Sequence, residues 1–298
     1  MYINLKIMPV KLGQNFLKDE NVVEKIIKAA DLKSDDVVLE VGPGKGVLTN
    51  ELAKFSNRVI AVEKDEELVK MTAGNFQFSI FPPKADQPGA GNFQSISNDL
   101  SLNFKNNVVI ISGDILEINL DKLLEANNVV NYKVVANIPY YITSKIIRLF
   151  LESENPPSEM ILMVQKEVAE RIVANPGQMS ILAVSVQYYA KAEYLFTVGR
   201  ESFDPAPEVD SAVIKISGIR NQEAGSRNNE EVKKFFRIVK AGFSAKRKTL
   251  ANNLSNSLHK DKKEIESILS QLGFLSTVRA QELSVEDWKK LSNIFNIG

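Results

Sequence analysis

The stretch from Val37 to Asn50, Val-Val-Leu-Glu-Val-Gly-Pro-Gly-Lys-Gly-Val-Leu-Thr-Asn, constrains this chain more than any other. The apolar residues Val37, Val38, Leu39 and Val41 predict a short buried strand. Gly42, Gly44 and Gly46 predict a tight turn, and Val47 opens a helix. One glycine suffices for an ordinary strand-to-helix turn. Three at alternate positions point to a backbone that a ligand approaches where a Cβ would collide. Such a ligand, seated over the first N–H groups of the helix, meets a partial positive charge.

Apolar periodicity extends this unit into an alternation. A helix over 21–30 precedes it, and a helix over 47–55 and the strand Arg58–Val62 follow it, ending in Glu63. Further strands are predicted at Val108–Ile111, Tyr132–Ala136, Met160–Val164, Glu193–Val198 and Ser211–Ile216, with helices over 143–151, 166–174 and 180–190. Strands alternating with helices predict an α/β fold with a mostly parallel central sheet covered on both faces. Residues 73–107 break the period with Pro82, Pro83, Gly89 and Gly91, and read as an inserted surface loop. Past Gly218 the segment 221–229 is polar, a plausible linker, and four helical patterns follow over 232–243, 250–258, 263–272 and 285–294. The expected organisation is therefore an α/β domain over 1–218 and a small all-α C-terminal domain over 219–298. The first two C-terminal helices are joined by a turn carrying Lys246, Arg247 and Lys248. Three consecutive cations suit phosphate contacts, with a solvated charge run as the competing reading.

Composition removes several chemistries. The 298 residues include no cysteine and one histidine, His259, in a polar helical stretch, so disulfides, thiol catalysis, zinc–thiolate sites and serine–histidine catalysis are not expected. No metal is expected either. With 37 basic and 37 acidic residues the formal net charge is zero, so a nucleic-acid partner would have to be held by a local basic patch. No apolar run approaches the roughly 18 residues of a membrane span. The N-terminus lacks a signal-peptide core, and the expected location is the cytoplasm.

Two acids close strands where ligands of doubly wound sheets sit. Glu63 is placed to accept the hydroxyls of a ribose, and Asp114, after Ser112-Gly113, to accept the amino group of an adenine ring. The strand ending at Ala136 runs into Asn137-Ile138-Pro139-Tyr140-Tyr141. An exocyclic adenine amine is a poor nucleophile, because its lone pair is conjugated into the ring. An Asn side-chain oxygen and the next carbonyl can both accept from that amine and steer its lone pair toward an in-line methyl. Proline fixes φ and removes a competing N–H. Tyr140 offers a flat face for an unstacked base, worth roughly 1–3 kcal/mol.

A dinucleotide fingerprint, Gly-x-Gly-x-x-Gly, fails because Val47 stands at its third position. The spacing led by Glu40, Glu-x-Gly-x-Gly-x-Gly, instead resembles the first motif of the Rossmann-like class I methyltransferases, which bind S-adenosylmethionine. Nearly the whole chain resembles the ribosomal RNA adenine dimethyltransferases. The resemblance is carried by Leu12-Gly13-Gln14-Asn15-Phe16-Leu17, the glycine loop, Val62-Glu63, Gly113-Asp114, Asn137-Ile138-Pro139-Tyr140-Tyr141, the run Val164 to Ala169, the run Phe203 to Val213, and Lys246-Arg247-Lys248. It implies that Asn15, Leu17, Gly42, Glu63, Asp114 and Asn137 bind S-adenosylmethionine, and that Asn137 and Tyr140 serve the target base. Phe203 would cover that base's other face, and the Lys246–Lys248 run would contact RNA. The implied activity is N6,N6-dimethylation of two adjacent adenines in a hairpin loop near the 3′ end of small-subunit (16S) rRNA. The protein would act as a monomer on the pre-30S particle. The alternative within the family is the macrolide-resistance enzyme of large-subunit (23S) rRNA, against which the segment Gln165 to Arg171 and the run ending Val209 to Val213 weigh. A non-catalytic RNA-binding assembly factor is the reading from another class; Glu63, Asp114, Asn137 and Tyr140 speak against it. A nicotinamide-dependent oxidoreductase leaves the Asn137–Tyr140 motif unexplained. Two departures stand out: residues 73–107 run longer than the family usually has, and Gln178-Met179-Ser180-Ile181 stands where members often carry Tyr-Gly.

Overall fold

The computed structural model describes residues 15–76, 79–81, 107–219 and 230–295. In chain order the elements begin with β1 (Phe16–Leu17), α1 (Glu20–Ala30), β2 (Val37–Val41), α2 (Val47–Phe55), β3 (Arg58–Glu63), α3 (Glu66–Phe76), β4 (Ser79–Phe81) and β5 (Val108–Ser112). They continue with α4 (Leu120–Ala126), β6 (Lys133–Asn137), α5 (Thr143–Leu151), β7 (Glu159–Gln165), α6 (Lys166–Ile172), α7 (Ile181–Tyr189), β8 (Lys191–Val198), β9 (Phe203–Asp204) and β10 (Ser211–Ser217). The last four helices are α8 (Glu230–Gly242), α9 (Leu250–Leu258), α10 (Lys262–Gln271) and α11 (Val285–Ile294).

Among the described residues, eight strands form one sheet in the order β4-β5-β3-β2-β6-β7-β10-β8. β2 pairs in parallel with both β3 and β6, and β5 pairs in parallel with β3 and β4. The strand order therefore reverses beside β2, which is where doubly wound sheets open a crevice beyond their strand ends. The residues explain the pairing: Val38, Leu39, Val59, Ile60, Val108 and Ile110 are buried, as strands covered on both faces require. The expected α/β fold of the Rossmann-like methyltransferase type, with its mostly parallel sheet, is the observed one.

Local signals set the helix limits. The carboxylate of Asp19 accepts from the Asn21 N–H at 3.0 Å and caps α1, which buries Val22, Val23, Ile26 and Ala30. The helix stops at Asp31, which is left-handed at φ 41°. Five elements were not expected from the sequence, the short antiparallel pair β1 and β9 and three others. In α3 the buried stripe Leu68, Val69, Thr72 and Ala73 is helical in spacing, but threonine breaks its apolar reading and Gly74 follows. α4 spans 7 residues, too short for a clear period, and is fixed by the Asn119 cap on Lys122 N–H. β4 pairs Ser79 with Val109 and Phe81 with Ile111. Regular structure thus enters the stretch read as a loop over 73–107, whose residues 77, 78 and 82–106 lie outside the described ones.

The chain divides into two compact units. The first comprises residues up to Thr143, Ile161–Lys166 and Phe196–Val213; the second comprises Ser144–Met160, Glu167–Leu195 and residues from Ile214. The sequence reading placed one boundary at 218/219, whereas this division is interleaved. Its physical source lies within the second unit, where Ala183 and Val184 of α7 share a core with Phe235, Ile238, Leu254, Leu269 and Trp288 of the later helices. In that unit the buried Asn253 amide donates to the carbonyls of Gly242 at 2.6 Å and Ala245 at 3.0 Å, pinning the turn from α8 to α9.

Candidate active site

The glycine loop takes its shape from three positive φ angles, 69° at Gly42, 56° at Gly44 and 80° at Gly46, a region in which only glycine sits without strain. Each glycine does a different job. Gly42 donates its N–H to the Val62 carbonyl at 2.9 Å, fastening the end of β2 to β3. Gly44 donates to Glu63 Oε2 at 3.2 Å and packs against Phe16, whose ring would lie 3.1 Å from an added Cβ. Gly46 is the left-handed N-cap of α2. The close approach expected for a ligand is thus made in part by the aromatic ring of the N-terminal arm.

Beyond the strand ends lies a cavity of about 410 Å³. Asn15 and Leu17 reach it from the arm, Gly42 and Gly44 from the loop, Glu63 from β3, Asp114 from the turn after β5, and Asn137 and Tyr140 from the end of β6. Glu63 is only 8% exposed; its Oε1 accepts from the Asp65 N–H at 2.9 Å while Oε2 takes Gly44. Burial raises its carboxyl above the ordinary range, and those backbone donors oppose the rise. Asp114 accepts from the Leu116 N–H at 2.9 Å through Oδ1 and pairs with Lys64 at 2.8 Å through Oδ2. The Lys64 ammonium is raised mainly by that bond.

Glu40 is the residue the sequence reading passed over as a motif leader. It lines the cavity, is 1% exposed, and its Oε2 has no hydrogen-bond partner. Burial pushes its carboxyl up to about 8; the Thr49 hydroxyl opposes this and the Glu63 carboxylate reinforces it. A buried acid with an unused oxygen, beside Glu63, fits a cavity made for a ligand with a positive group.

The Asn137–Tyr141 turn follows β6 without a break. The Ile138 N–H donates to Met163 O at 3.1 Å, and Pro139, at φ −55°, starts a 3₁₀ turn over Tyr140–Ile142. The Asn137 amide nitrogen donates to the Asn15 carbonyl at 3.4 Å, which leaves the side-chain oxygen as its acceptor. The Tyr140 hydroxyl and Ser211 Oγ share a hydrogen bond of 2.6 Å, and burial raises the phenol.

Seven of the expected site residues, Asn15, Leu17, Gly42, Glu63, Asp114, Asn137 and Tyr140, therefore meet in one cavity. Phe203 does not. It stands opposite Leu17 in the antiparallel pairing of β1 and β9, is 1% exposed, and is not among the lining residues, so its ring presents no face to a base in this arrangement. Lys246, Arg247 and Lys248 are exposed in the α8–α9 turn. Leu12, Gly13 and Gln14 lie outside the described residues. Lys64 and Tyr141, which also line the cavity, were missed as site residues; their position directly after Glu63 and Tyr140 was the available signal. Among the described residues no group of three or more histidine, cysteine or acidic side chains could hold a metal, and no helix is long and apolar enough to cross a membrane.

A sequence model of the family described as "Ribosomal RNA adenine dimethylase" matches residues 8–80 and 93–296. A ribosomal RNA small subunit methyltransferase A from Dehalococcoides mccartyi is 40% identical over 284 residues, covering 95% of this chain and 87% of that protein. One of the same description from Clostridioides difficile is 36% identical over 288 residues, covering 96% and 90%. Among solved structures, a dimethyladenosine transferase from Plasmodium falciparum superposes with a TM-score of 0.70 at 26% identity, covering 93% of this chain and 95% of that one. The 23S rRNA methyltransferase ErmE shares the fold, with a TM-score of 0.66 at 23% identity over 94% and 98%.

Proposed function

This chain belongs to the ribosomal RNA adenine dimethylase family, and we propose that it uses S-adenosylmethionine to dimethylate, at N6, two adjacent adenines in a hairpin loop near the 3′ end of small-subunit rRNA. It would act as a cytoplasmic monomer on the pre-30S particle. The observation that carries the reading is the meeting of Asn137 and Tyr140 with Glu63 and Asp114 in one cavity.

The residues fit the implied cofactor. The buried Glu40 oxygen without a partner, and the Glu63 carboxyl next to it, suit a ligand bearing a sulfonium and an ammonium. Glu63 would hold the ribose, Gly42 the methionine end, Asp114 the adenine ring, and Asn15 and Leu17 the arm side of the cavity. Lys64, whose side chain is largely exposed, pairs with Asp114 Oδ2 and would have to share that carboxylate with the ring. Bound there, S-adenosylmethionine supplies an electrophilic methyl group whose leaving group is already neutral on departure.

The protein's own part is then positioning. The Asn137 oxygen and the Ile138 carbonyl region accept from the target amine and aim its lone pair, without first removing a proton. Tyr140, fixed through Ser211, gives the target base a rigid face. Loop adenines are already unpaired, so drawing one into the cavity costs little. No general base is required, because the amine loses its proton after transfer.

The test is tritium transfer from labelled S-adenosylmethionine to undermethylated small and large ribosomal subunits, with the modified nucleotides mapped. Dimethyladenine near the 3′ end of the small-subunit RNA is the expected result. Label on the large subunit alone would replace this reading with the macrolide-resistance type.

A further inference from the structure

We propose that Tyr141 is a second base platform, holding the nucleotide next to the target adenine at the mouth of the cavity while Tyr140 receives the target itself. The inference rests on the reading of the chain as an RNA adenine methyltransferase.

Three aromatic rings line the cavity among the described residues: Phe16, Tyr140 and Tyr141. Phe16 is committed elsewhere. Lys45 Nζ lies 4.6 Å from its ring centroid, and Gly44 packs so closely that a Cβ there would sit 3.1 Å from the ring edge. Tyr140 is half-buried and tied to Ser211. Phe203, the other aromatic expected to meet RNA, is buried, and its strand pairs with β1. Tyr141 alone of this group is open, at 74% exposure.

One exposed apolar side chain on a protein surface needs no explanation. A planar ring at the rim of a nucleotide-binding cavity, one peptide bond from the ring proposed to hold the target, is a different matter. Its backbone is firmly set: Pro139 starts the turn, the Ile142 N–H donates to the Pro139 carbonyl at 3.2 Å, and the Thr143 hydroxyl donates to the Tyr140 carbonyl at 3.2 Å. When one loop base is drawn into the cavity, the adjoining base loses a stacking neighbour. It remains tethered by one phosphodiester, within reach of the rim. Tyr141 replaces the lost stack, and because every base has a π-face it does so whatever that base is. This suits an enzyme that must accept each of two adjacent adenines in turn, with the other outside.

The experiment measures steady-state methyl transfer to undermethylated small ribosomal subunits by the wild type, Tyr141→Ala and Tyr141→Phe, with S-adenosylmethionine affinity measured in parallel by calorimetry. Tyr141→Ala should raise KM for the subunit on the order of 5- to 150-fold, the worth of one base–aromatic stack. Tyr141→Phe should restore it to within about twofold, since it keeps the face and loses only the hydroxyl. An unchanged KM in the alanine variant overturns the proposal. So does a phenylalanine variant as weak as alanine, which would make the hydroxyl the contact. A fall in kcat in place of the KM rise would put the ring on the target base, and an equal loss of cofactor affinity would put it on the cofactor; either overturns the proposal. A wild type that labels neither subunit overturns the underlying reading and this inference with it.

Discussion

Glu40 offers the most quantitative prediction. In the folded protein its carboxyl titrates near 8, against an ordinary value near 4.5 when the chain is unfolded. Between those values the folded state binds one proton more than the unfolded state. Its contribution is therefore fully present below about pH 4.5 and is lost as pH rises through about 8. Each pH unit in the window costs about 1.4 kcal/mol, and the full span amounts to on the order of 5 kcal/mol. Against a total stability of roughly 5–15 kcal/mol that is a large effect. Glu40→Gln removes the titration while keeping the shape. Urea unfolding at pH 5.5, 6.5 and 7.5 should show the variant gaining on the wild type by about 1.4 kcal/mol per pH unit. The Glu63 carboxyl, also raised by burial, titrates in both proteins, and because its charge also raises Glu40 the difference between them reports the coupled pair. The same proton gives a second readout. A cationic ligand beside Glu40 lowers its pKa, so S-adenosylmethionine binding at pH 7 should release close to one proton more from the wild type than from the variant, measured by calorimetry in buffers of different ionisation enthalpy. Parallel stability profiles, or equal proton release, would refute the assignment of a buried, protonated acid to this position.

Asn137→Ala should lower methyl transfer on the order of 10²- to 10³-fold with an unchanged circular dichroism spectrum; near-wild-type turnover would rule out orientation by the amide. Gly44→Ala places a side chain at φ 56° and against Phe16, and should lower stability by about 1–2 kcal/mol while loosening the arm over the cavity. A wild-type melting temperature would show that the loop tolerates a Cβ. Changing Lys246, Arg247 and Lys248 together to Ala should reduce the slope of log K against log salt for RNA binding by about 2 to 3, on a contribution of 0.7–0.9 per phosphate contact. An unaltered slope would leave these cations as a solvated turn.

What could be read from the sequence follows from how local each determinant is. The bounds of α2, α5, α9 and α11 agree with their periodicity to the residue, because apolar spacing lies within each helix and the Thr249 and Ser284 caps stand directly before α9 and α11. Glu63, Asp114 and Asn137 were found because a strand end is itself a local feature, and parallel pairing turns neighbouring strand ends into neighbouring positions. Phe203 resisted because its burial comes from pairing with residues far away in sequence: Phe203 with Leu17, and Asp204 with Phe16. Nothing near Phe203 encodes that contact. Glu40 was undervalued for the opposite reason. An acid between Leu39 and Val41 reads as the edge of a motif, and only the surrounding strands show that it is buried without a full set of partners.

The same backbone logic bears on the long connection between β4 and β5. Three of the turns that form the cavity are each stapled to a neighbouring strand end by a backbone hydrogen bond: Gly42 N–H to Val62 O at 2.9 Å, Gly113 N–H to Glu63 O at 2.8 Å, and Ile138 N–H to Met163 O at 3.1 Å. Their relative placement is thus inherited from the register of β2, β3, β5, β6 and β7, not from the loops themselves. Residues 82–106 connect β4 to β5 in the chain, and among the described residues β4 is an edge strand of the sheet with β5 as its one neighbour. Length added at that edge leaves the pairing of β3, β2 and β6 unchanged, where a shift of about 1 Å would cost on the order of 10²-fold in rate. Shortening that connection, with β4 and β5 retained, should accordingly leave kcat within a few-fold of wild type. A larger loss would mean that the segment itself touches cofactor or RNA.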